Sequence, residues 1–198
     1  MTMRVISGPA PVVTPASVPG DHSDTDADVT RMIAAAQGTI DGPTGWVGRA
    51  FGKQTLELWL PWFPCDDLLL MGPVIGSINV KYLDRDEVEQ TVDPGLYRNA
   101  GNVLVFKRAF RAPATACAPD AVRIQWEAGY EDNAMPAQAQ EAVILMALHA
   151  KAVGAENLFL RSEEVEGVGT LQYTVSDQAG AAVVRAVENL MFGLRVYR

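Results

Sequence analysis

Residues 122–150 read VRIQWEAGYEDNAMPAQAQEAVILMALHA, and this stretch decides the fold. In its first part Val122, Ile124 and Trp126 oppose Arg123, Gln125 and Glu127, which is the period-2 alternation of a half-buried strand. Pro136 then opens a helix, since its missing N–H has no partner in a first turn anyway. Gln138, Gln140 and Glu141 fill the first turns, and the middle, Ala142 to Leu148, is apolar all round. A helix of that pattern belongs in a central position, packed on more than one side. Between strand and helix sits an acidic elbow, Glu131-Asp132. Paired carboxylates in glycosidases face each other across a substrate, with one pKa raised by burial. Two neighbours on an elbow just before a helix instead favour the positive end of that helix. The elbow reads as a joint rather than a catalytic site.

Upstream, the same alternation recurs from Gln54 to Tyr130. Leu56, Leu58 and Leu60 point one way, Glu57 and Trp59 the other. Val74, Gly76, Ile78, Val80 and Tyr82 alternate with Ile75, Ser77, Asn79, Lys81 and Leu83. A turn at Asp84-Arg85-Asp86-Glu87 then returns the chain through residues 88–92 as a hairpin. Asp93-Pro94-Gly95 is a second turn, and VLVF (103–106) a further short strand. Before residue 54 the period is that of a helix. Val29, Met32, Ile33, Ala36 and Ile40 form one stripe, started by Thr25 or Asp26, with Thr25 and Asp28 spaced as in a capping box, and ended before Gly42-Pro43. Ahead of it, Pro9, Pro11, Pro15 and Pro19 predict an extended arm over residues 1–25.

Downstream of Gly154, residues 155–177 read as a loop with a short ribbon, GTLQYTV (169–175), behind the acidic run Glu163-Glu164-Val165-Glu166. A last helix over 178–192 carries Val183, Val187, Leu190 and Leu194 as a narrow seam. The predicted fold is therefore α+β. Helices over about 26–41, 136–153 and 178–192 form a framework, with a small antiparallel β-sheet or barrel inserted over about 54–130. The organisation expected is an arm (1–25), a core (26–153), and a C-terminal segment (154–198) ending in a helix and tail.

Composition narrows the function classes. A chain of 198 residues supports one domain with appendages and can bury roughly 70% of its unfolded surface. Sixteen Lys+Arg against 24 Asp+Glu give a net charge of −8, a poor basis for gripping nucleic acid by counterion release. Such a chain can still line a passage through which DNA slides without sticking. Cys65 and Cys117, far apart, read as reduced thiols. The start, MTMRVISGPAPVV, lacks a secretory pattern, and AVILMAL (142–148) is too short to span a bilayer, so a soluble cytosolic product is expected.

No catalytic constellation emerges. The two histidines, His22 and His149, have no metal-ligand spacing. Asp21, Asp24, Asp26 and Asp28 resemble a calcium loop in composition but lack Gly at the sixth position and Glu at the twelfth. GxSxG, GxxxxGK[ST] and CxxC are absent, so neither a cofactor nor a metal is expected. One basic patch stands out: between Pro94 and Pro119 there is no acidic residue, while Arg98, Lys107, Arg108 and Arg111 lie there with Phe110 among them. It reads as a solvated loop, or as a basic face meeting DNA in a lumen or the Glu163–Glu166 run of another subunit.

The ordered segments HSDTDADVTRMIAAAQ (22–37), GRAFGKQTLELWLPWFP (48–64), VIGSINVKYLD (74–84), VDPGLYR (92–98) and WEAGYEDNAMPAQAQEAVILMALH (126–149) carry a resemblance. Together they resemble the head–tail connector (adaptor) proteins of long-tailed phages and of phage-derived gene-transfer particles. Such proteins often have a short helix before the acidic segment, which Pro11, Pro15 and Pro19 oppose here, and the chain beyond Gly154 matches loosely. The resemblance implies a non-enzymatic subunit of a twelve-membered ring. That ring sits under the portal protein, presents a platform to the next neck, stopper or tail protein, and passes DNA through its lumen. It implies a place in the neck of a virion or gene-transfer particle, with a cytoplasmic stage before assembly. Within that reading, Leu190, Leu194, Arg195, Tyr197 and Arg198 are the candidate portal-docking residues. Arg98, Lys107, Arg108 and Arg111 are the candidate lumen or inter-subunit face. A stopper or tail-terminator subunit, and an acidic-site glycan hydrolase, are the alternatives.

Overall fold

The computed structural model describes residues 2–131, 134–155, 162–165, 169–172 and 177–196, with backbone alone for 154–155, 162–165, 169–172 and 177–179. The chain is α+β and divides into two compact units. The first comprises Met1–Ala10, Ile40–Ala134 and Val196–Arg198, and the second Pro11–Thr39 and Met135–Arg195.

The first unit is built on the predicted alternating runs. Its five-stranded antiparallel sheet uses β1 (Thr2–Ser7), β2 (Gln54–Leu60), β4 (Val74–Leu83), β5 (Glu89–Thr91) and β8 (Val122–Ala128), in the order β1-β2-β8-β4-β5. A three-stranded sheet, β3-β7-β6, is made of β3 (Leu68–Leu69), β6 (Tyr97–Ala100) and β7 (Val103–Phe106). The inward residues are those the period predicts: Leu56, Leu58, Val80, Val122, Ile124 and Trp126 are buried and share one core with Leu70, Tyr97 and Leu104. The two sheets are tied across that core by hydrogen bonds from Tyr97 Oη to the Ile78 carbonyl (2.7 Å) and from Trp126 Nε1 to the Met71 carbonyl (2.9 Å). Phe63, Tyr82, Phe106 and Phe110 close one part of the core, with Phe106 and Phe110 stacked at 4.4 Å between centroids.

Several elements depart from the sequence reading. Residues 2–7 form an edge strand on β2, and β3 and β6 are additional short strands. The alternation in β4 is interrupted by a bulge between Ile75 and Ile78, where Gly76 has φ +71°. Residues of both sheets share one core in this unit.

The second unit contains the helices α1 (Ala27–Ile40, whose last residue belongs to the first unit), α2 (Ala137–Ala155) and α3 (Asp177–Met191). The α1 stripe is buried as its spacing predicts, at Val29, Ile33, Ala36 and Ile40. Its cap is Asp26, whose Oδ1 accepts from the Asp28 and Val29 amides (2.8 and 3.1 Å). Pro136 precedes α2 and accepts at its carbonyl from the Ala139 and Gln140 amides. Along α2, Ala139, Ala142, Val143 and Ala147 are buried while Ile144, Leu145, Met146 and Leu148 are half-buried, so the helix is covered on several sides. It runs through Gly154 to Ala155 rather than stopping at the glycine. The α3 helix packs against α2. The acidic run lies partly in a strand, since β9 (Ser162–Val165) pairs with β10 (Gly169–Gln172) as a separate antiparallel hairpin.

Candidate functional site

The basic patch is built by turn chemistry. Asp93 Oδ1 accepts from the Gly95 amide (2.8 Å) and caps a 3-10 turn over Pro94–Leu96 that delivers the chain into β6. Tyr97 turns inward, so Arg98 on the alternate face is exposed. After β7, the Lys107 amide donates to the Leu96 carbonyl and the Phe110 amide to the Lys107 carbonyl, both at 2.8 Å. Phe110, the aromatic residue within the patch, points into the aromatic cluster and fixes the loop from beneath. Lys107, Arg108 and Arg111 remain exposed. Arg111 Nη1 donates to the Arg108 and Phe110 carbonyls, holding the turn with its charge un-neutralised. Among the described residues none of the four cations enters an ion pair.

The C-terminal residues are distributed differently from a simple docking seam. Val187 and Met191 are buried, and Val183, Leu190 and Leu194 are half-buried. The 4-3-4 seam is thus largely the inner face of α3. The exposed apolar side chains are Val184 and, in the 3-10 turn Phe192–Leu194 that follows α3, Phe192, which is 75% exposed. Arg195 is exposed. The next residue is fixed within the first unit: the Val196 amide donates to the Val47 carbonyl (2.9 Å), and Gly48, at φ +74°, leaves a Cβ only 2.8 Å from the Val196 carbonyl oxygen. Tyr197 and Arg198 lie outside the described residues.

Two polar devices were not apparent in the sequence. Asp41, 3% exposed, accepts from the Phe51 amide (2.7 Å), the Gly52 amide (2.8 Å) and Gln54 Nε2 (2.8 Å). One carboxylate therefore fastens the end of α1 to the start of β2. In the second unit, His22 Nε2 donates to the Pro15 carbonyl (2.9 Å), which leaves Nδ1 to accept from Lys151 Nζ (2.9 Å). The proline-rich arm is in this way pinned to α2. At the elbow, Glu131 is exposed and its carbonyl accepts from the Ala134 amide (2.8 Å), while Asp132 lies outside the described residues. Among the described residues no group of His, Cys, Asp and Glu could hold a metal ion, and no helix is long and apolar enough to cross a membrane. Cys65 and Cys117 are free thiols, both exposed.

No protein-family model matches the sequence, and no curated protein matches it. Solved structures share the fold of this chain. A solved "Neck of native GTA particle computed with C12 symmetry" contains a chain that matches this one with a TM-score of 0.67 at 19% identity, covering 100% of this chain and 97% of that one. The "Neck of empty GTA particle computed with C6 symmetry" matches with a TM-score of 0.61 at 18% identity, and the "Virion of native gene transfer agent (GTA) particle" with 0.61 at 16%, both at the same coverage. At these identities the likeness establishes a shared fold over the whole chain, including the part beyond Gly154 that resembles connectors only loosely in sequence.

Proposed function

We propose that the chain is a non-enzymatic structural subunit of a particle neck, the adaptor that joins a portal protein to the next neck or tail protein as one member of a twelve-membered ring. The observation that carries this reading is the end-to-end correspondence of fold with a chain of a C12-symmetric neck. The chemistry of the chain agrees with it. A net charge of −8 suits the wall of a lumen through which DNA must slide. Glu131, at the elbow before α2, is exposed and its carbonyl accepts from the Ala134 amide, which agrees with a joint. Before assembly the subunit is a cytoplasmic protein.

Portal docking belongs to the end of α3. Leu190 and Leu194 shape this end from the half-buried side, while Phe192 and Arg195 are its exposed face; Tyr197 and Arg198, which follow in sequence, are the further docking candidates. Burying one large apolar side chain contributes roughly 1.5–3 kcal/mol before ordering costs. A single subunit would dock weakly, and a ring of them firmly through effective concentration.

The test is quantitative mass spectrometry of gradient-purified, DNA-containing particles from producing cells, comparing the copy number of this chain with that of the portal. Near parity is expected. Absence from particles, with the chain free in the lysate, overturns the reading. A stopper or tail-terminator subunit would instead be missing from DNA-filled heads that carry only the portal and its first partner.

A further inference from the structure

Three features of the surface concern the same step, the joining of one subunit to the next. Among the described residues, the hairpin β9–β10 is a two-stranded sheet that no other strand joins. A two-stranded hairpin alone is marginally stable in water and gains from a third strand or a packing surface. β6 is the outer strand of the three-stranded sheet, and Arg98, Asn99 and Ala100 along it are exposed. An outer strand presents unpaired backbone donors and acceptors that template another strand. The charges of the two elements are opposite: β9 carries Glu163 and Glu164, whereas β6 and the loop after β7 carry Arg98, Lys107 and Arg108 without an ion-pair partner among the described residues.

We propose that the hairpin β9–β10 of one copy adds to the β6 edge of the next copy, bringing its acidic strand beside the edge that carries Arg98. The inference rests on the ring reading above. A ring needs a head-to-tail interface in which two different surfaces of one chain meet, and the acidic hairpin and the basic edge are two such surfaces. Main-chain pairing along the strand supplies attachment, and opposite charge fixes the partner and the register. DNA is the less suitable occupant. A cluster of unpaired cations in a DNA passage would hold the phosphates that must slide past it, and the strand edge offers nothing that a duplex requires.

The test uses the full-length chain in four forms: wild type, Glu163→Lys with Glu164→Lys, Arg98→Glu with Lys107→Glu, and the fourfold combination. Self-association is measured by sedimentation velocity over a concentration series, and near-ultraviolet circular dichroism establishes that each form is folded. Each double reversal is expected to weaken association at least about tenfold, because like charges are juxtaposed. The fourfold variant is expected to recover to within about threefold of wild type, the signature of a direct pairing. Double reversals that associate as wild type does overturn the pairing and leave the ring reading standing. A wild-type chain that stays monomeric throughout also overturns the pairing, and the copy number in particles then decides the ring reading separately. Loss of binding to a short DNA duplex in the Arg98→Glu, Lys107→Glu form, with self-association intact, overturns it in favour of a DNA-facing surface.

Discussion

At the scale of single residues, Asp41 is the most consequential side chain in the first unit. Its carboxylate satisfies two backbone amides and the Gln54 amide in a place that water does not reach. Asp41→Ala takes that acceptor from the buried Phe51 and Gly52 amides, and a loss on the order of 3 kcal/mol is expected from urea denaturation. Tyr97→Phe removes one buried bond and should cost about 1 kcal/mol by the same measurement. Gly129, at φ +122°, faces the Gly52 carbonyl so closely that a Cβ would lie 2.4 Å from its oxygen. Asp41 was not legible in the sequence. An Asp before Gly42-Pro43 reads as a turn residue, and nothing local announces that its acceptors serve amides ten residues on. The basic patch was legible as charge, but the role of Phe110 was not, because only the fold shows the aromatic residue turned inward and the cations left outside.

At the scale of elements, the alternation that placed β2, β4 and β8 was reliable because one face of each meets the core. β1 gave no such signal. It is exposed on nearly every residue, and its partner lies some fifty residues downstream, so neither periodicity nor a turn reports it. The α3 seam carries a related lesson. A 4-3-4 spacing marks the buried face of a helix whatever that face packs against, and here it packs inside the chain. The docking proposed above is therefore tested at an exposed residue off the seam. Phe192→Asp is expected to preserve the circular dichroism spectrum while lowering attachment to DNA-filled heads by tenfold or so. Val187→Asp, at a buried position, is expected to lose the fold itself. Truncation after Gly180 is a poorer test of docking because it removes Val187 and Met191 together with the tail.

The β4–β5 turn offers an acid-sensitive element. Asp84 is held below the ordinary aspartate value, first by the hydrogen bond from Gln90 Nε2 (2.9 Å) and then by the Val88 amide. A carboxyl whose folded value is depressed contributes its stability above the unfolded value, about 3.9, and that contribution is lost as pH falls through the lower folded value. Amide exchange at Val88 and Asp86, whose amides donate to the Asp84 carboxylate, is therefore expected to quicken as pH is lowered through that window, relative to the general acid trend. Asp84→Ala should show fast exchange there at every pH, and an unchanged rate in that variant would detach the carboxylate from the turn.

At the scale of the whole molecule, the chain leaves the first unit twice, after Ala10 and Ala134, and re-enters it twice, at Ile40 and Val196. Its five-stranded sheet has Thr2–Ser7 at one edge, and its last described contact is made by Val196, whose amide reaches Val47. Residues 2–7, 54–60 and 196 lie far apart in sequence yet belong to the same unit, so its closure waits on non-local pairing, the kind of contact that is slowest to form.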